Sequence, residues 1–175
     1  DVIGISIGPG SFTGVRIGFA ITQGLAYEQN ISVIPLSSLC AHVHAFKTTL
    51  RKYKLQSFMG KSMVVIVDAK MDHFYIGHYI MKEDFSIDSV GADIIIKKDR
   101  MKSLLSQIDP DLILTDDKSR ISGLDFVQTK IIEIFPRAKD LIEITENQYN
   151  TGFSVSPINI ELAYLREADA WKKSN

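Results

Sequence analysis

The chain has 175 residues, 45% of them hydrophobic and 23% charged, with a formal net charge of −1. That composition supplies a core for one domain or two small ones and excludes a disordered chain. It also argues against autonomous nucleic-acid binding, which needs a basic surface to release counterions from phosphates.

Cys40 is the single cysteine, so no intrachain disulfide forms. No apolar run approaches the ~20 residues of a membrane span, and Asp1-Val2-Ile3-Gly4, without a basic stretch, is not expected to belong to a signal peptide. These features predict a soluble cytoplasmic protein with no membrane partner. The chain enters a buried-type strand at once, without a Met, so upstream residues are expected.

In chain order, Val2–Ile7 is an apolar strand ending in Gly8-Pro9-Gly10. Ser11 is suited to cap a helix from Phe12 to about Gln29. Ser32–Leu36 predicts a strand stopping near Pro35, and Ser37 or Ser38 caps a helix to about Tyr53. The polar stretch Leu55–Lys61 marks a boundary between residues 1–57 and 58–175.

Beyond it, Met63–Val67, His73–Met81 and Ile87–Lys97 predict an antiparallel meander. A helix near Asp99–Ile108, a strand at Leu112–Thr115, a helix over Leu124–Phe135 and a terminal helix over Pro157–Trp171 complete the pattern. Three strands, helix, strand, helix is the order of a ribonuclease-H-like unit. The first third matches the back half of such a unit, lacking three strands and a helix.

Gly8-Pro9-Gly10-Ser11-Phe12-Thr13-Gly14 places glycines between a strand and a helix N-terminus, where outward N–H groups favour an anion. No Lys-Ser/Thr pair follows, so it is not a Walker A loop, and a Ser-capped tight turn is the simpler account. On the following helix, at about 100° per residue, Gly14, Ile17, Ile21 and Leu25 form one apolar arc. Val15, Phe19 and Ala26 form another, and Arg16, Gln23 and Tyr27 a narrow polar strip. Such a helix is buried on more than one side, either in a central core or between its own sheet and a partner.

Gly8–Gly14, Arg16-Ile17-Gly18, Gly24-Leu25-Ala26 and Pro35-Leu36-Ser37-Ser38-Leu39 together resemble the signature of the TsaB family, also called YeaZ. Val67-Asp68-Ala69-Lys70, Phe135-Pro136-Arg137-Ala138-Lys139-Asp140-Leu141, Tyr164-Leu165-Arg166 and Ala170-Trp171-Lys172-Lys173 follow in family order. The resemblance implies an α/β, actin-like ATPase (ASKHA) fold of two ribonuclease-H-like subdomains, the first truncated here. It further implies a non-catalytic subunit of bacterial tRNA threonylcarbamoyladenosine (t6A) synthesis. Such a subunit dimerises with and activates a TsaD homologue, acts with the ATPase TsaE, and pairs with itself when alone. Phe12, Val15, Arg16, Gly18, Phe19, Thr22, Gln23 and Ala26 are the expected partner face. The chain would have no intrinsic cofactor, ATP would be used by the partner complex, and tRNA would be met only through that complex.

Gly10, Ser11, Thr13, Gly14, Asp68 and Lys70 are the candidate anion or nucleotide contacts. Active ASKHA enzymes carry an Asp-x-Gly turn where this chain has Asp68-Ala69-Lys70, so a side chain stands where backbone would approach phosphate. His42 and His44 lie about 200° apart on a helix, and His73 and His78 point to opposite faces of a strand. Neither pair predicts a metal site, and the TsaD histidine motif is missing. The basic runs Arg51/Lys52/Lys54, Lys97/Lys98/Arg100/Lys102 and Lys172/Lys173 read as solvated faces. An autonomous ASKHA-fold ATPase or small-molecule kinase is the alternative. A peptidase finds no metal or Ser-His constellation to support it.

Overall fold

The computed structural model describes residues 1–50, 52–122 and 129–165. Its first sheet pairs β1 (Val2–Gly8) in parallel with β2 (Ser32–Ser37), joined by α1 (Phe12–Tyr27). β2 runs through Pro35 instead of stopping there. Val33 exchanges both backbone bonds with Val155 on the side away from β1. Pro35 shares that parity, so its missing N–H faces a side where no strand pairs among the described residues.

α2 (Ser38–Thr49) follows directly. Ser37 caps it, its Oγ accepting from Leu39 N at 3.0 Å and Cys40 N at 3.3 Å. The same hydroxyl donates to Asp93 Oδ2, and Tyr79 donates to Asp93 Oδ1 at 3.2 Å. One serine thus ties a helix start to a distant loop. Ser37→Ala is expected to cost about 1–2 kcal/mol of stability, read as a lowered urea midpoint with unchanged slope.

α3 (Lys52–Leu55) and a 3-10 turn over Gln56–Phe58 lead to the second sheet. Its strands are β3 (Ser62–Lys70), β4 (His73–Met81), β5 (Ile87–Ser89), β6 (Ile94–Lys97), β7 (Leu112–Thr115) and β8 (Lys130–Glu133). The order is β5–β4–β3–β7–β8, with β6 also on β4; β3 and β4 are antiparallel, whereas β3, β7 and β8 are parallel. α4 (Lys98–Ile108) and the single turn α5 (Lys118–Ile121) connect β6 to β7 and follow β7.

The period of two along β3 sorts its buried side chains onto opposite faces. Met63 and Val65 meet Leu39, Val43 and Phe46 of α2, while Val64 and Ile66 meet Met101 and Leu105 of α4. α2 therefore packs on the second sheet as well as beside the first, and its apolar contacts cross residue 57. A 3-10 turn (Ala138–Leu141) leads into α6 (Ile142–Asn150), which returns the chain to β1. A Cβ on Gly4 of β1 would lie 2.2 Å from Thr145 Oγ1 of α6. Gly4→Ala is therefore expected to displace α6 and cost about 1–3 kcal/mol in thermal or urea unfolding.

Other expected elements differ as well. Ile87–Lys97 is two short strands rather than one, because Val90 N bonds to His78 O and Gly91 turns at φ +88° between them. Lys130–Glu133, expected to be helical, is a strand: its β-branched Ile131 and Ile132 pair with β7. Residues 124–128 of that expected helix lie outside the described residues. Pro157–Trp171 is not a helix over its described part. It makes one 3-10 turn, Pro157–Asn159, and then runs irregularly, with Ile160 buried against Ile5, Ala26 and Val33. Residues 166–171 lie outside the described residues.

Candidate functional site

The glycine-rich turn is built by β1 and capped by its own serine. Gly8 turns at φ +100°, a conformation only glycine adopts freely. Ser11 Oγ accepts from Gly14 N at 3.2 Å, and Val15 N bonds to Ser11 O at 2.9 Å. The Ser11 side chain therefore serves the helix.

α1 shows its two arcs differently. Thr22 and Ala26 are buried, and Phe19 packs with Ala26 on Ile5 and Val33 of the first sheet. On the opposite side Ile17, Ile21 and Leu25 are 56%, 57% and 60% exposed, with Gly14 and Gly24 exposed beside them. Of the expected partner face, Phe12 and Arg16 are exposed, whereas Val15, Gly18, Phe19 and Gln23 are half-buried. Thr22 and Ala26 are withdrawn into the chain's own core, and the exposed apolar arc is the Ile17–Ile21–Leu25 stripe. Arg16 stacks over the Phe12 ring at 3.4 Å and donates to Tyr164 Oη at 3.2 Å, which fastens the irregular end of the chain to α1. Gln23 likewise donates to Pro157 O.

The anion set is not assembled. Asp68 accepts from Lys70 N and Lys70 Nζ, both at 2.8 Å, and lies 3.5 Å from Arg120 Nε. Burial works to raise its pKa, but the Lys70 hydrogen bonds and the Lys70 and Arg120 charges outweigh it, and the carboxyl is held below its ordinary value.

Ser11 instead lines a cleft of about 1010 Å³ between the sheets, together with Ser6, Ser38, His42, Asp116 and α6 residues; Gly10, Thr13, Gly14, Asp68 and Lys70 do not line it. Ser6 and Ser38 share a hydroxyl hydrogen bond of 2.6 Å on its floor. The Ser38 carbonyl can only accept, so His42 Nδ1, at 2.9 Å, carries the proton. His42 Nε2 and both ring nitrogens of His44 are buried without a partner among the described residues. Burial lowers the pKa of His42, and that of His44 to about 4. These histidines are core groups of α2. Their burial was not legible in spacing alone, nor was the Ser37–Asp93–Tyr79 node, whose members lie far apart in sequence.

A family model described as TsaD, tRNA N6-adenosine threonylcarbamoyltransferase, matches residues 1–157. A TsaB protein named for tRNA threonylcarbamoyladenosine biosynthesis, from Haemophilus influenzae, is 27% identical, over 99% of this chain and 73% of its own length. The Escherichia coli protein of the same name is 27% identical over 95% of this chain and 71% of its own. Among solved structures, YeaZ from Pseudomonas aeruginosa superposes with a TM-score of 0.76 at 23% identity, covering 94% of this chain and 74% of that one. That likeness shows the mixed α/β fold, and together with the family match it is consistent with an actin-like ASKHA fold. No described helix is long and apolar enough to cross a membrane.

Proposed function

We propose, from the premise that the chain belongs to the TsaD family of tRNA N6-adenosine threonylcarbamoyltransferases, on its TsaB (YeaZ) branch, that it is a partner subunit without chemistry of its own. In this reading it takes part in t6A synthesis by binding and activating a TsaD homologue, in company with a TsaE-type ATPase. ATP is used by the assembly, and the chain pairs with itself when no partner is present.

The exposed Ile17–Ile21–Leu25 stripe of α1 carries the reading. A surface helix of a monomer keeps such a row in its core, and a contiguous exposed row marks a contact surface. The pairing of Asp68 with Lys70 and Arg120 supports the absence of an intrinsic phosphate site. Light scattering after gel filtration, on the chain alone and mixed with a TsaD homologue, tests it. A stoichiometric heterodimer supports the proposal, and two species eluting independently reject it.

The autonomous ATPase remains a second reading because of the cleft, where Ser11 and Ser38 bring two helix starts together. ATP turnover by the purified chain alone would favour it over the partner role.

A further inference from the structure

The turn between β3 and β4 is unusual. Lys70, Met71 and Asp72 take φ values of +64°, +52° and +54°, a left-handed run of three residues that all carry side chains. Each such residue is disfavoured and persists only where its surroundings hold it. Asp68 holds Lys70 from within the turn, and the β6–α4 junction holds Asp72 and His73: Lys98 N donates to Asp72 O at 2.8 Å, and His73 pairs with Lys97 across β4 and β6. Between turn and junction lies a groove of about 620 Å³ lined by Met71, Asp72, His73, Lys97, Lys98 and Asp99, with Met71 59% exposed.

Around this groove the charge is uneven. Lys97, Lys98, Arg100 and Lys102 are exposed, and none makes an ion pair among the described residues. Asp72 and Asp99 are the carboxylates lining the groove beside them. Met101 and Leu105 anchor α4 to the sheet, which turns Lys98 and Lys102, one turn apart, to one flank of the helix and Arg100 to the other. On a chain whose net charge is −1, this is a local concentration of cations beside a concave, partly apolar surface.

We propose that the groove between the β3–β4 turn and the start of α4 is an RNA-docking surface. Lys97, Lys98 and Lys102 contact phosphates there, and Met71 and His73 offer a platform to an unstacked base. This rests on the proposed role in tRNA modification, and it modifies the sequence-based expectation that these lysines are merely solvated. Lysines position a phosphate backbone without reading sequence, and single strands are gripped by combining such charges with flat or apolar side chains. The near-neutral chain makes the contact an auxiliary one, strengthened when the partner adds its own.

Fluorescence anisotropy with labelled unmodified tRNA, from about 50 to 200 mM salt, tests this on the chain alone and with a TsaD homologue. The triple variant Lys97→Gln/Lys98→Gln/Lys102→Gln is expected to weaken binding at least ~10-fold and flatten the log–log salt slope by about 2. The ion-paired Lys61→Gln and Lys82→Gln are expected to change neither. A triple variant that binds with unaltered affinity and slope overturns the surface while leaving the partner role standing. If no heterodimer forms, the partner role falls, and the titration of the chain alone decides the groove by the same comparison. Polyglutamate binding that depends on the three lysines, with tRNA binding that does not, would assign the groove to an acidic protein and overturn the RNA proposal.

Discussion

Ile21→Glu is expected to abolish association with the TsaD homologue while leaving the chain folded. Ile21 lies mid-way along the exposed stripe, between Ile17 and Leu25, and is 57% exposed. A substitution at such a position changes stability by no more than about 0.5 kcal/mol. In the complex the same side chain would be enclosed by a partner. Burying an isoleucine contributes about 1.5–3 kcal/mol, and a carboxylate in its place adds an unpaired charge at the interface centre.

The expected loss of more than about 3 kcal/mol is over 100-fold in Kd, enough to remove the heterodimer from gel filtration. Self-association of the chain alone is expected to respond in parallel. Phe19→Glu is not an equivalent test. Phe19 packs with Ala26 against Ile5 and Val33, so that variant would lose binding by unfolding. An Ile21→Glu chain that melts normally and still binds would place the contact elsewhere.

The arcs of α1 show where sequence reading stops. Periodicity finds both apolar rows, because each recurs every three or four residues, but it does not say which one the chain covers itself. That depends on the crossing of α1 over β1 and on Ile160 and Val155, which return from a distant part of the chain to close the inner side. The helix caps were legible for the opposite reason: Ser11 and Ser37 act on residues two or three positions away.

β7 was legible to the residue, since its four buried residues are bounded by Asp111 and Asp116, polar ends that stop an apolar run. β8 was not, because Ile131 and Ile132 suit either state and only the parallel pairing with β7 decides between them. The candidate anion contacts show the same limit. Asp68 and Ser11 lie near a strand end and at a helix start, but spacing does not say that Asp68 pairs with Lys70 and Arg120 or that Ser11 lines a cleft which Asp68 does not.

Between pH 6.5 and about 4, His44 alone is expected to cost the folded chain about 3 kcal/mol of stability, a loss that His44→Leu removes. Burial is the main cause of the depressed His44 pKa and the Lys47 ammonium adds to it, against the opposing charges of Glu143 and Asp140. The unfolded chain takes up the proton near 6.5, whereas the folded chain resists it until about 4. In that window the unfolded state binds more protons, so stability rises with pH. The contribution is complete above 6.5 and gone below about 4.

His42 shifts in the same direction through burial, opposed by its bond to the Ser38 carbonyl and by Asp116. Asp93 acts with the opposite sign. Burial raises its carboxyl despite the bonds from Ser37 and Tyr79, so its contribution is present at low pH and lost as pH rises through its folded value. The difference between variant and parent curves isolates His44 from these. Both His44 ring nitrogens are buried without partners, so leucine forfeits no hydrogen bond and is expected to be neutral at pH 7 to within about 1 kcal/mol. Urea unfolding at steps across this range reads the result. Parallel curves for the two proteins would show that His44 is not the acid-sensitive group.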